Sequence, residues 1–173
     1  MDPRSVIEEV LKRWRTQDVA STFVFTAENV VYALYIAEEL APFAGVTEGR
    51  DAMMAAFYKM IEEFDYLEYE PTIMGVEGDV VRVHTRYRYR HRRTGSDIGG
   101  SYRTVFTVRD GLVVRCEEYV DRGLVEAFMR LVRQREAVND IVPPPAFPKR
   151  PPAEVMRPPL SMASKVHDEE GCE

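Results

Sequence analysis

The stretch VFTVRDGLVVRCEEYVDRGLVEAF, Val105 to Phe128, changes its periodicity partway along. Its first part carries the β-branched and aromatic residues that suit a pleated surface. Asp110-Gly111 then supplies the chemistry of a tight hairpin turn, since both residues tolerate the positive φ such turns demand. Leu112 to Val120 reads as a second strand. Beyond Asp121, Leu124, Phe128, Leu131 and Val132 mark a final helix. A carboxylate therefore sits at the joint between strand and helix. It is either a solvated cap, worth about 0.3–1 kcal/mol near a helix N-terminus, or the strand delivers it into a cavity. In an apolar cavity, desolvation would raise its pKa into the range of a general acid or base.

Alternation along the strand puts Arg115, Glu117, Tyr119 and Asp121 on one face, and Leu112, Val114, Cys116, Glu118 and Val120 on the other. Tyr119 suits a pocket, and Gly123 lets the chain turn sharply before the helix. On that parity the sequence predicts an inward Asp121.

Upstream, LEYEPTIMGV, DVVRVHTRYRYRHRR and GGSYRTVFTVR read as strands, with EGD, TGSDIGG and RDG as turns, so antiparallel hairpins follow. Met53, Phe57, Met60, Ile61 and Phe64 recur at helical spacing, after a loop, APFAGVTEGR, with two glycines and a proline. NVVYALYI, Asn29 to Ile36, reads as a buried strand. A short helix is expected around Asp18–Phe25. Val6, Ile7, Val10, Leu11 and Trp14 share one helix face, with Asp2 and Pro3 as its start signal. The predicted class is α+β: a strongly curved antiparallel sheet of four to six strands with three helices on its concave side.

The domain is expected over residues 1–138. Residues 139–173 hold eight of the eleven prolines and cannot form a regular helix or a central strand. That segment is expected to be a tail, or an arm packing Phe147, Val155, Met156 and Leu160 over the pocket or a second subunit.

A formal net charge of −6 argues against a dedicated nucleic-acid binder. The two cysteines, Cys116 and Cys172, form neither a disulfide framework nor a metal-ligand spacing, which points to a reducing, cytoplasmic setting. The start has charges where a signal peptide needs an apolar stretch, and no apolar run is long enough to span a bilayer, so no membrane partner is expected.

GVTEGRDAMMAAFYKM, followed downstream by VFTVRDGLVVRCEEYVD and a helix, resembles the SnoaL-like branch of the nuclear transport factor 2-like superfamily. The resemblance covers about residues 5–133. It implies a cone-shaped fold with a central pocket, hosting enzymes and plain binding modules alike. Asp121 matches the proton-handling aspartate of the cyclases and the epoxide hydrolase in that superfamily. Arg86 matches an arginine of the epoxide hydrolase, but Arg88 stands where its second carboxylate belongs, which argues against epoxide hydrolysis. Steroid isomerisation lacks its acid on the first strand and has Val10 near the place of its tyrosine. The histidines of scytalone dehydratase compare only loosely with His84 and His91.

Arg82, His84, Arg86, Arg88 and Arg90 form a basic stripe. It reads as the outer face of a sheet paired with acids on neighbouring strands, with Arg86 entering the pocket if a bulge breaks the alternation. The expected catalytic pair is Asp121 and Arg86, and Trp14, Tyr35, Phe57, His84, Phe106 and Tyr119 are the expected ligand contacts. Tyr32 and Tyr35 lie on opposite strand faces, so at most one points inward. No metal or cofactor is expected. The expected partners are a small hydrophobic molecule and a second copy of the chain, meeting across the outer sheet face. Two functions compete: a cofactor-independent cyclase, isomerase or lyase, and a ligand-binding or dimerisation module without chemistry. A pocket of several hundred Å³ with Asp121 at its wall would favour the first.

Overall fold

The Asp2 carboxylate accepts a hydrogen bond from the Ser5 amide at 3.1 Å and Pro3 takes the first turn, so α1 runs Pro3–Arg15 as its start signal predicts. Its apolar face, Val6, Ile7, Val10 and Trp14, is buried. Fully burying each such side chain stabilises the fold by about 1.5–3 kcal/mol. The structure is a computed structural model and describes residues 1–141.

Asp18 caps the short α2, Val19–Thr22. Strand β1, Thr26–Leu34, and strand β2, Gly45–Glu48, lead into α3, Arg50–Glu63. Four long strands follow: β3, Phe64–Glu77; β4, Val80–His91; β5, Asp97–Arg109; and β6, Leu112–Tyr119. Helix α4, Arg122–Ile141, closes the described chain. The six strands form one sheet in the order β2-β1-β6-β5-β4-β3.

At the β5–β6 turn, Asp110 and Gly111 both hold positive φ, 51° and 76°. That is the conformation a right-twisted two-residue hairpin requires. Register shifts in β3–β4, between Tyr66 and Glu68 and between Ile73 and Gly75, and in β5–β6 at Thr107/Val108, add local twist to the sheet. The helices pack on the concave side, giving the α+β cone.

Two details differ from the expectation. The sheet is mixed, because β1 lies parallel to β6; that pairing joins distant segments, which hairpin signals cannot reveal. The stretch read wholly as loop contains β2, four residues too short to show alternation. The short helix expected around Asp18–Phe25 is present as α2, the shortest of the four α-helices among the described residues. The proline-rich segment lies outside the described residues from 142 onward, while α4 itself continues to Ile141.

Helix α4 is fastened over the β1–β2 connection by one carboxylate. Glu126 accepts from the Ala37 amide at 3.0 Å, from Arg122 at 2.7 Å and from Arg130 at 3.3 Å. These donors hold its pKa below the usual carboxylate value.

Candidate functional site

The concave side holds a cavity of about 130 Å³. Helix α1 contributes Trp14 to its wall, α3 contributes Phe57, β5 contributes Phe106, and α4 contributes Phe128 and Met129. The rings are tightly keyed. Trp14 meets Phe57 edge-on at 5.0 Å, and Tyr32 meets the same ring at 5.0 Å. Such pairs hold a wall in shape beyond the apolar area they bury.

Strand β6 places one acid in this wall. Glu118 lines the cavity beside Cys116 and Val120, and it keeps some accessible surface because it faces that space. Burial raises its pKa to about 7, opposed by the Tyr32 hydroxyl, which donates to Oε2 at 3.2 Å. Tyr32 is fully buried, and burial first, then the nearby Glu118 charge, push its own pKa well up. It therefore stays a phenol and a donor. A carboxyl near neutrality can both give and take a proton at physiological pH.

Five tyrosines, Tyr66, Tyr69, Tyr87, Tyr89 and Tyr102, line the cavity itself. Tyr66 and Tyr89 stack at 4.1 Å, and the hydroxyls of Tyr89 and Tyr102 approach to 3.5 Å. Desolvation raises all five phenols, and the Glu118 charge adds to the rise at Tyr66, Tyr69, Tyr89 and Tyr102. Burial likewise pushes the Cys116 thiol up, which makes it a poor nucleophile.

The structure brings Trp14, Phe57 and Phe106 to the cavity wall and leaves the other expected residues outside it. Asp121 is a correction. Its Oδ1 accepts from the Leu124 amide at 3.0 Å and the residue is exposed, so it caps α4. Arg86 is exposed on the outer face and sits 3.7 Å from Glu70, its cross-strand neighbour. His84 shares that outer face, alternating with buried Val83 and Thr85. Tyr35 and Tyr119 lie on the outer face as well, ring to ring at 5.6 Å, and the Tyr35 hydroxyl donates to Glu117 at 2.7 Å. Of Tyr32 and Tyr35, it is Tyr32 that points inward.

The cause of the Asp121 error is a bulge. Val108 pairs Val113, yet Thr107 pairs Arg115, so Val114 is an extra residue and the parity of β6 flips there. Val113 and Cys116 thus both reach the cavity. Glu118 had a sequence signal nonetheless: it is the one acid in an otherwise apolar alternation with Cys116 and Val120. Among the described residues, no group of His, Cys, Asp and Glu is arranged to hold a metal ion.

The model of the SnoaL-like domain family matches residues 7–116. The chain belongs to the SnoaL-like family. Among solved structures, an NTF2-like protein from Burkholderia thailandensis is 23% identical, with a TM-score of 0.66, over 75% of this chain and 98% of that one. An NTF2-like protein of unknown function from Burkholderia pseudomallei reaches a TM-score of 0.67 at 15% identity, over 76% and 98%. A protein named as a SnoaL-like polyketide cyclase from Mesorhizobium loti reaches 0.60 at 16% identity, over 69% and 100%. At these identities the likeness of this SnoaL-like chain to them carries the fold alone. No curated protein matches the chain. No helix among the described residues is long and apolar enough to cross a membrane.

Proposed function

We propose that the cone binds a small, largely apolar molecule and that Glu118 exchanges a proton with it, in a reaction of the cyclase, isomerase or lyase type that needs no cofactor. The supporting observation is an ionisable carboxyl, with its pKa raised to about 7, in a wall of aromatic rings. Burying a carboxyl without a cation beside it costs stability, and such perturbed groups in cavities cluster at functional sites. Tyr32 holds the carboxyl in one orientation, and Glu118 takes the place expected for Asp121. Proton exchange tests this. Enolisable cyclic ketones are incubated with the protein in deuterated water and the loss of α-protons is followed by NMR. Exchange that disappears in Glu118→Gln is the expected result. Equal exchange by wild type and variant removes Glu118 from the chemistry.

A ligand-binding module without chemistry is the second reading. It is favoured by the size of the cavity, about 130 Å³ rather than several hundred. The expected homodimer across the outer sheet face belongs to either reading. Tyr35 and Tyr119 are exposed there beside the arginine–carboxylate pairs, and a mass measurement in solution checks it.

A further inference from the structure

We infer that a basic groove between α1 and the edge strand β3 is the docking site of the chain's own acidic segment, residues 166–170. The inference concerns a surface outside the cone and does not depend on what the cone binds.

The groove has a volume of about 240 Å³ and shares only Leu11 with the wall of the cone cavity. Its floor is apolar: Leu11 with Pro71 and Ile73, which are half-buried on β3 and pair with buried Thr85 and Val83. Its rim is charged. Arg4, Glu8, Lys12 and Arg15 are exposed, and with Leu11 they follow at i, i+4, i+8, i+11 and i+7, one side of α1. Strand β3 ends the sheet, so it has no strand neighbour on its outer edge. Native proteins cover such edges or defend them with charge and proline.

Charge selects the occupant. The rim carries three cations and one acid, on a chain whose net charge is −6. Arg4 is paired with Glu8 at 2.9 Å and Lys12 lies 3.6 Å from Glu9, whereas Arg15 has no ion pair among the described residues. The outer arginine stripe offers no such vacancy. There Arg82, Arg86, Arg88 and Arg90 already face Glu77, Glu70, Glu68 and Asp97. A basic rim over an apolar floor fits a short chain segment with one apolar residue beside carboxylates. Residues 166–170, Val-His-Asp-Glu-Glu, have that order: Val166 for the floor, and Asp168, Glu169 and Glu170 for Lys12 and Arg15.

Reach and tethering favour the chain's own segment over a separate acidic peptide. Helix α4 ends near the start of β3: Asp140 lies 3.0 Å from Arg93, and the Arg92 amide donates to the Glu63 carbonyl, just before Phe64. From Phe64 to Ile73 the strand covers about 30 Å, at roughly 3.3 Å per residue. The 26 residues 142–167 can bridge up to about 80 Å, at roughly 3.1 Å per residue. The groove is thus well within range. Tethering presents the segment at an effective concentration on the order of millimolar, which fills a site whose polar contacts are exposed ion pairs.

Two lysines make the test direct. Lys12 is on the rim, and Lys59, the other lysine among the described residues, is exposed on α3 and not part of the groove. A carbodiimide joins an amine to a carboxylate in contact with it, and mass spectrometry of tryptic peptides from the full chain identifies the link. The expected result is a link from Lys12 to Asp168, Glu169 or Glu170, about fivefold more abundant than any from Lys59. Mixing ¹⁵N-labelled with unlabelled protein should show that it forms within one chain. Arg15→Gln, at an exposed position with no ion pair to lose, should lower the Lys12 link about fivefold. Amide NMR gives a second reading. Neutralising the segment by Asp168→Asn, Glu169→Gln and Glu170→Gln should shift the amides of Leu11, Lys12, Arg15, Thr72 and Ile73 and leave those of Arg86 to Arg90 in place. Equal links to Lys12 and Lys59 overturn the inference, as does a link that forms only between two copies. Amide shifts confined to the arginine stripe, or none anywhere, overturn it as well. So does a free Val-His-Asp-Glu-Glu peptide that binds the wild-type groove as readily as the neutralised one, since the groove would then be unfilled.

Discussion

Glu117 and Glu118 are neighbours in the chain, of one residue type, and the sheet sends them to opposite sides. Outside, Glu117 accepts from Arg115 at 2.9 Å and from the Tyr35 hydroxyl at 2.7 Å, and its pKa lies below the usual value because of those two donors. Inside, Glu118 has the Tyr32 hydroxyl against a large desolvation, and its pKa rises to about 7. Two carboxylates one residue apart have been driven in opposite directions by their surroundings alone. The same division runs through the whole sheet. The outer face pairs Arg88 with Glu68 at 2.9 Å and Arg90 with Asp97 at 2.6 Å, whereas the inner face carries tyrosines, valines and one acid.

The largest expected effect is at Glu118. Its folded pKa exceeds the ordinary value of 4.5, so between there and about 7 the folded state binds more protons than the unfolded state. Stability therefore falls as pH rises through that window. Glu118→Gln keeps an acceptor for Tyr32 and removes the charge. It should stabilise the protein by about 2–3 kcal/mol at pH 8 and leave stability at pH 4.5 nearly unchanged, as read by urea denaturation. A gain that does not depend on pH would mean that the carboxyl is not desolvated.

Next comes the cap. Asp121→Ala should cost about 0.5–2 kcal/mol and Asp121→Asn close to nothing, because asparagine caps as well as aspartate. Loss of proton exchange in Asp121→Asn would restore the carboxylate to the chemistry. A smaller effect belongs to the outer partner: Glu117→Gln should cost about 0.2–1 kcal/mol, and the loss should shrink as salt is added. Arg86→Gln, breaking an exposed pair, should stay within about 0.5 kcal/mol and leave proton exchange untouched.

His91 gives a pH dependence of the other sign. It is buried at the end of β4, with Nδ1 at 3.0 Å from the Thr94 hydroxyl and Nε2 at 3.6 Å from the Glu136 carboxylate. Burial lowers its pKa below 6.5, against the pull of Glu136. The unfolded chain then takes up the proton first, and stability falls as pH drops below about 6.5. His91→Gln should flatten that acid limb while leaving the Glu118 limb in place, as read from thermal midpoints across pH.

The sequence by itself determined the elements that local chemistry dictates. Asp2 and Pro3 start α1, Asp110-Gly111 makes the hairpin, and the spacing of Met53 and Phe57 defines α3, because caps, turns and amphipathic faces depend on residues a few positions apart. It also determined the alternating arginine stripe, since cross-strand acids were visible in LEYE, and the family through GVTEGRDAMMAAFYKM. Tertiary structure alone decided that β1 runs parallel to β6, and which face of β6 looks inward. The single extra residue at Val114 flips that face, and a bulge is set by the register of two strands rather than by either sequence. Glu118 therefore became the cavity acid and Asp121 the cap: the period of a strand is local, but its phase is fixed only by its partner.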